Sequence, residues 1–527
     1  MVLNWDCPYP SNRSPVFAKN MVATSQPLAV QAGINAMKAG GNAIDAAVAT
    51  AITLTIVEPN NNGIGSDAFA IVWDGTKLHG LNASGRSPAG LRAEHFTGQQ
   101  QMPVLGWDAV TVPGAVSAWV ELSSKFGRLP FEQLFIDAIH YAADGFQVGP
   151  KTGFYWQLAE ERFKDFQPFM DTFMIDGRAP QIGEIKHLPD HASSLEKIAK
   201  TNGQAFYRGE LAEAIARDAH ENGGKLTMED LAAHQCDWVG TIDTALYESH
   251  LHEIPPNGQG LMALIGLGIL NQLDIARYAL DSADSVHLQI EAIRISYAYI
   301  ERHLADIEHM RVKPEDLISD QFFQDRANEI RLDKANPAPR VIDASPDTVY
   351  LTTADESGMM VSMIQSNYRG FGSGIVIPGT GISMQNRGSG FVLEEGHPNQ
   401  VGGRKRPYQT IIPGFAMQDG QPAMSFGVMG GHMQAQGHLQ MMLRIFVHKQ
   451  NPQAASDAPR WYLSEDGKVA LENGFDGDVA RDLKDRGHDV ILDSPEHLFG
   501  GAQLIYRMRD GYCGGSDHRK EGLVAGF

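Results

Sequence analysis

Cysteine is scarce in this chain. Cys7, Cys236 and Cys513 are its only three, they form no CxxC pair, and an odd number cannot all be bridged within one molecule. Reduced thiols in a cytoplasmic protein are the simpler expectation. The opening MVLNWDCPYPSNRSP has no basic region followed by an apolar run, so no secretory signal is expected. Long apolar runs are missing too. The longest, residues 46–57, is too short for a bilayer and predicts a buried helix. Basic charge also falls short: 43 Lys and Arg against 63 Asp and Glu leave a net charge of −20. That balance argues against a nucleic acid or an anionic membrane as partner. A small anionic substrate stays open, because one arginine inside a pocket outweighs the mean field.

Several catalytic signatures are absent as well. There is no HExxH or EF-hand loop, and His432 and His438 lie off a shared helical face, so no metal site is expected. No GxSxG marks a nucleophile elbow. Gly370, Gly372 and Gly374 in RGFGSGIV lack the GxGxxG spacing and a following Lys-Ser/Thr, which predicts a turn-rich loop and not a phosphate cradle. GIGSDAF, residues 63–69, reads as a turn into a strand. No cofactor is signalled.

What is present is globular material: 43% hydrophobic and 20% charged residues supply a sizeable core. Length alone would suggest two or three domains. Residues 28–57 carry apolar side chains at helical spacing, broken by Gly40-Gly41, which predicts two helices. Pro113 predicts the start of a helix that ends at Gly127. Further helical patterns cover 211–221, 260–273, 286–305 and 433–448, while 68–73 and 241–254 look like strands. Near residue 331 the character changes. RLDKANPAPRVIDASPD, residues 331–347, predicts an exposed connection. VYLTTAD and MMVSMIQS follow as strands joined by Glu356-Ser357-Gly358, a hairpin signal. Shorter strands are expected near 411–417 and 423–428. Helices before the break and hairpins after it suit a layered α+β fold.

Thr348 stands at the start of that hairpin, directly after the proline-rich segment. Were the Asp347–Thr348 bond cut, the new α-amine would lie beside its own hydroxyl and could serve as general base. Such an amine titrates at roughly 7.7–8.0, so part of it is unprotonated at neutral pH. A threonine opening a strand is common, so on local composition alone the ordinary structural reading prevails and nothing there points to catalysis.

A wider pattern does. VATSQPLAVQAGINAMKAGGNAIDAAVA (22–49), VEPNNNGIGSDAF (57–69), VTVPGAVSAW (110–119), PPNGQG (255–260), HLQIEAIRISYA (287–298) and DTVYLTTADESGMMVSMIQSNYRGFGSGIVIPGTGI (347–382) occur in order. Together they make the chain resemble the γ-glutamyltranspeptidase family of N-terminal-nucleophile hydrolases over nearly its whole length. The resemblance implies a four-layer αββα sandwich and a precursor cut before Thr348. Its fragments, 1–347 and 348–527, would stay associated as one structural unit, open to higher oligomers. Thr348 falls on the family's nucleophile and Ser366 on the hydroxyl residue that hydrogen-bonds to it. Gly430 and Gly431 in VMGGH fall on the glycine pair whose N–H groups form the oxyanion hole, where glycine permits close backbone approach.

The substrate residues depart from the family pattern. Family members that bind a γ-glutamyl group use an arginine where this chain has Ser84, with Arg86 two residues on. They use an acidic residue where it has Gly390, and Arg387 stands nearby; Gln409 and Thr410 replace consecutive serines. An ammonium buried without a carboxylate is costly, so these exchanges turn the site from an amino acid towards a simple acid. Arg387, with Arg86 as a second anchor, is the expected carboxylate ligand. The branch most similar is that of the oxamate amidohydrolases, which release ammonia and oxalate. Two alternatives stand beside it. One is γ-glutamyl transfer or glutathione hydrolysis, with Asp67 or Glu394 holding the α-amine. The other is a non-catalytic binding protein on the same fold.

Overall fold

The structure is a computed structural model that describes Trp5, residues 13–336 and residues 347–527. Cys7 and most of the proline-rich connection lie outside the described residues. Two seven-stranded antiparallel sheets form its centre. One runs in the order Leu523–Gly526, Met21–Thr24, Asp347–Ala354, Met360–Tyr368, Asp67–Trp73, Leu78–Asn82, Asp237–Trp238. The other runs Val16–Ala18, Gly511–Ser516, Gly501–Met508, Gln421–Met429, Gly414–Gln418, Ser249–Glu253, Ile242–Leu246. Residues from before and after position 347 contribute to both, so the separate domains that length suggested do not exist.

Side-chain alternation along the strands builds three apolar layers. Phe69, Ile71, Tyr350 and Ile364 from the first sheet meet Phe415, Met429 and Ile505 from the second in the layer between them. The opposite set, with Val349, Leu351, Val361 and Met363, packs under the helices Pro27–Lys38, Ala43–Val57 and Ala115–Phe126. On the far side, Ala416, Met424, Phe426 and Val428 meet Gly260–Gln272, Ala283–His303 and Met433–Met442. The architecture is therefore α+β, a four-layer αββα sandwich of the N-terminal-nucleophile hydrolase type. Ala43–Val57 is buried along its whole length, in keeping with its largely apolar sequence, and Asn42 with Asp45 closes a capping box at its start. Among the described residues no helix is long and apolar enough to cross a membrane.

The predicted helices appear within a few residues of their expected bounds, and the hairpin turns at Gly358 with φ 92°. Two elements differ. Residues 241–254 are not one strand but two, Ile242–Leu246 and Ser249–Glu253. The turn carries no glycine. Tyr247 adopts φ 53°, held by its hydroxyl, which donates to Asp274 (3.1 Å) and accepts from the Ala276 N–H (2.9 Å). The helix expected over 433–448 ends at Met442 and continues as a π-helical turn over Leu443–Val447.

The described start of the connection, 331–336, is tied down by side chains far away in sequence. His287 Nε2 donates to the Arg331 carbonyl at 2.8 Å, which leaves Nδ1 to accept from His488 Nε2 at 2.8 Å. Glu291 accepts from the Asn336 N–H and pairs with Arg294. His287, Glu291 and His488 converge as metal ligands would, but their polar atoms are committed to this network.

Gly427 lies against the ring of Tyr350 across the inter-sheet layer, where an added Cβ would overlap that ring. Gly427→Ala should lower stability by about 1–3 kcal/mol, read as an earlier midpoint in urea unfolding. An unchanged midpoint would mean that the ring yields freely.

Candidate active site

Thr348 and Ser366 sit on adjacent strands at one end of the inter-sheet layer, both buried, with their hydroxyl oxygens 3.1 Å apart. The pairing between Asp347–Ala354 and Met360–Tyr368 shifts register between Asp347 and Val349, so the strand is irregular at Thr348. Ser366 Oγ also accepts from the Tyr368 N–H at 2.8 Å. On the next strand Asp67 is the direct partner of Ser366. Directly opposed residues share a face of the sheet, which brings Thr348, Ser366 and Asp67 into one row.

Contacts between the sheets set the level of Gly430 and Gly431. Thr352 Oγ1 lies 2.6 Å from Ser425 Oγ, and Tyr350 lies against Gly427. The same progression carries Thr348 to the level of Met429 and Gly430. Both glycines have positive φ, 127° and 56°, a pair of conformations that L side chains disfavour. The chain turns there into the helix Met433–Met442, and among the described residues neither glycine N–H has a backbone acceptor. Two donors are thus free at a helix entrance, as an oxyanion requires.

Arg387 stands near Asp67. It is fully buried, its guanidinium lies 4.1 Å from the centre of the Tyr368 ring, and Nη1 donates to Thr410 Oγ1 at 2.9 Å. Among the described residues Nε and Nη2 have no partner. Burial pulls its pKa down to about 10. Burial likewise pushes Asp67 up from 3.8 to about 6, opposed by the Arg387 charge and by donors from Gly85, Gln409 and Gly114. Gln409 Nε2 reaches Asp67 at 2.7 Å. Of the expected ligands, Arg387, Gln409 and Thr410 therefore come together. Arg86 does not join them. Its guanidinium pairs with the buried Asp306 at 2.8 Å and bonds the Arg404 carbonyl, so that charge is already neutralised. Glu394 is exposed.

Sequence reading missed Gln259, the residue that joins these parts. Fully buried ahead of the helix Gly260–Gln272, it donates from Nε2 to the Gly431 carbonyl at 2.9 Å and to the Thr410 carbonyl. Its Oε1 accepts from the Tyr408 hydroxyl at 2.9 Å. The only signal was a glutamine between two glycines in PPNGQG, which local pattern cannot distinguish from a turn residue. Tyr408 also lies 3.1 Å from His432 Nδ1, next to the glycine pair.

The chain as a whole is similar to known proteins. Residues 29–527 match the family described as gamma-glutamyltranspeptidase. The chain is 33% identical to the oxamate amidohydrolase proenzyme of Klebsiella pneumoniae, over 98% of this chain and 99% of that protein. It is 32% identical to a glutathione hydrolase-like proenzyme of Bacillus subtilis, over 98% and 100% respectively. Among solved structures, the cephalosporin acylase from Bacillus halodurans superposes with a TM-score of 0.95 at 46% identity, covering 100% of this chain and 99% of that one.

Gln259→Ala should cut amide turnover by about 10- to 100-fold in kcat, less than loss of an oxyanion donor itself, with KM changed less and the unfolding midpoint lowered by the carbonyls left unpaired. A kcat equal to wild type would leave Gln259 a purely structural residue.

Proposed function

This chain belongs to the γ-glutamyltranspeptidase family, and from that premise we propose that it cuts itself before Thr348 and then hydrolyses the amide of a small carboxylate-bearing substrate such as oxamate. Thr348 Oγ attacks the amide carbonyl while the new α-amine takes its proton. Ser366 orients the hydroxyl, and the N–H groups of Gly430 and Gly431 hold the oxyanion. The nitrogen leaves as ammonia with the proton from the α-amine. Water then opens the threonyl ester, releasing oxalate. The large and small fragments stay together throughout, and the reaction belongs to the cytoplasm.

The observation that carries the substrate reading is Arg387, buried against the Tyr368 ring with two N–H-bearing nitrogens unpartnered among the described residues. A guanidinium out of water without an anion is costly, and a planar carboxylate satisfies both donors at once. Asp67 lowers that cost only in part, since its own carboxylate already accepts from Gly85, Gly114 and Gln409. The same commitments weigh against γ-glutamyl transfer. Asp67 is occupied, Glu394 is exposed, and an α-ammonium would meet Arg387 as a like charge.

Denaturing electrophoresis of the purified protein should show fragments corresponding to 1–347 and 348–527, with Edman sequencing of the smaller reading Thr-Val-Tyr. Thr348→Ala should leave the chain intact and release no ammonia from oxamate. A wild-type chain that stays whole and inert on long incubation favours the non-catalytic alternative; processed enzyme inert towards oxamate removes that substrate.

A pH dependence follows from Asp67. Below about 6 it is neutral and the Arg387 charge is unshared; above that pH its carboxylate offsets the guanidinium. KM for oxamate should therefore rise as pH increases through about 6, and Asp67→Asn should flatten the profile. A KM that falls across that window would reverse the assignment.

A further inference from the structure

A cavity of about 360 Å³, partly open to solvent, lies where residues 168–191 meet the turn at Pro378 and Gly379. None of Thr348, Ser366, Asp67 or Arg387 lines it. Segments from both sides of residue 347 build it, and Ser194 Oγ ties them by donating to the Thr380 carbonyl at 2.7 Å. Lys186 is a lining residue and is only 5% exposed. Its Nζ donates to the Met174 carbonyl at 2.9 Å. The carboxylate whose charge it feels is Glu184, which Arg178 already holds through both Nη atoms at 2.8 Å. One carbonyl offsets an ammonium only in part, and burial pulls the Lys186 pKa down to about 8. An ammonium kept from water without an anion is costly, so the space beside it suits one. His191 is the second buried lining group. Its Nδ1 has no partner among the described residues and packs against Gly381, while burial keeps the ring neutral, with a pKa near 3. The ring proton therefore belongs on Nε2, as a donor. The rim carries the opposite sign. Asp171 and Asp190 line the cavity, are exposed, and do not act on the Lys186 charge, so they stand apart from it. His187, also exposed, turns to the Ala143 carbonyl at 3.2 Å.

We propose that this cavity is a binding site for a small zwitterion of the amino-acid class, its carboxylate on Lys186 and His191 and its ammonium between Asp171 and Asp190. The two ends select together. A simple anion such as phosphate meets Lys186 but must pass two carboxylates. A simple cation meets those carboxylates but also a buried ammonium. A molecule that carries both charges turns each repulsion into an attraction. The exposed carboxylates attract weakly through water, so most of the affinity comes from the buried end. Binding makes and breaks no covalent bond, and the assignment does not depend on which amide the enzyme cuts.

Isothermal titration calorimetry of the purified protein with glycine, β-alanine and γ-aminobutyrate tests this, each against acetate, propionate or butyrate as the acid without the amine. The best-fitting amino acid should bind at least about threefold tighter than its acid, the worth of two exposed ion pairs. Lys186→Met, which keeps the apolar stem, should weaken that binding at least about tenfold, as loss of a charged hydrogen bond does. Asp190→Asn, at an exposed position, should bring amino acid and acid closer together, and Arg387→Met should bind as wild type does. Binding kept in Lys186→Met and lost in Arg387→Met would put the ligand at the other site and overturn the proposal. Acids that bind as well as the amino acids, or inorganic phosphate that binds more tightly, would overturn the zwitterion. No saturable binding of any of these would overturn the site. If Lys186→Met fails to fold, Asp190→Asn decides, an unchanged preference rejecting the assignment.

Discussion

The pairing of Asp347–Ala354 with Met360–Tyr368 is the constraint from which the rest of the site follows. Side chains on a strand alternate, so a slip of one residue would exchange the layer between the sheets with the layer under the helices. Tyr350 and Ile364 lie between the sheets, while Val349, Leu351 and Met363 lie under helices. Either set would be misplaced by a slip, and that cost fixes the register. With the register set, Ser366 can only face Thr348 and Asp67. Contacts of Thr352 and Tyr350 with the opposite sheet then bring the two glycines to the same end.

Charge in this site is managed by burial more than by pairing. Arg387 and Asp67 are both withdrawn from water, and both are driven towards neutrality by that withdrawal. Neither is fully compensated by the other: Asp67 takes three hydrogen bonds from neutral groups, and Arg387 keeps two nitrogens unbonded. Such a pair is poised, because an arriving anion changes the balance for both groups at once. By contrast Arg460 and Arg519 both pair with the buried carboxylate of Asp517, so that cluster already contains its anion. Burial of charge is thus structural in one place and, on the proposed reading, receptive in the other.

How much of this was legible in the sequence depended on the range of the interaction. The hairpin was readable because alternation and a glycine turn are local signals, and the helices because apolar spacing and caps are local too. Thr348, Ser366, Gly430 and Gly431 became readable through ordered motifs, not through spacing. Arg387 followed from a charge exchange and is buried among Tyr368, Thr410 and Asp67. Arg86 fitted the same logic, yet Asp306, distant in sequence, claims its charge. Tyr247 turns without a turn residue for the same reason, its hydroxyl being held by a loop that follows the next helix. Gln259 and the His287–His488 contact depend wholly on partners brought together by folding, 201 residues apart for the two histidines. No local pattern announces them.

The interleaving of the two sheets bears on how such a molecule can be made. In the first sheet, strands from beyond residue 347 lie between Met21–Thr24 on one side and Asp67–Trp73 on the other. A chain cut before Thr348 would still be held by those rungs and by the pairing of Leu523–Gly526 with Met21–Thr24, and that sheet could not come apart without baring six strand edges at once. The reverse journey would be harder still. Two fragments synthesised separately would each present an unfinished sheet, as ready to stack on a copy of itself as on its complement. Covalent continuity during folding supplies the correct neighbour at high local concentration. The break in the backbone would therefore leave assembly history written into the product: a two-chain protein that is simple to reach from one chain and difficult to reach from two.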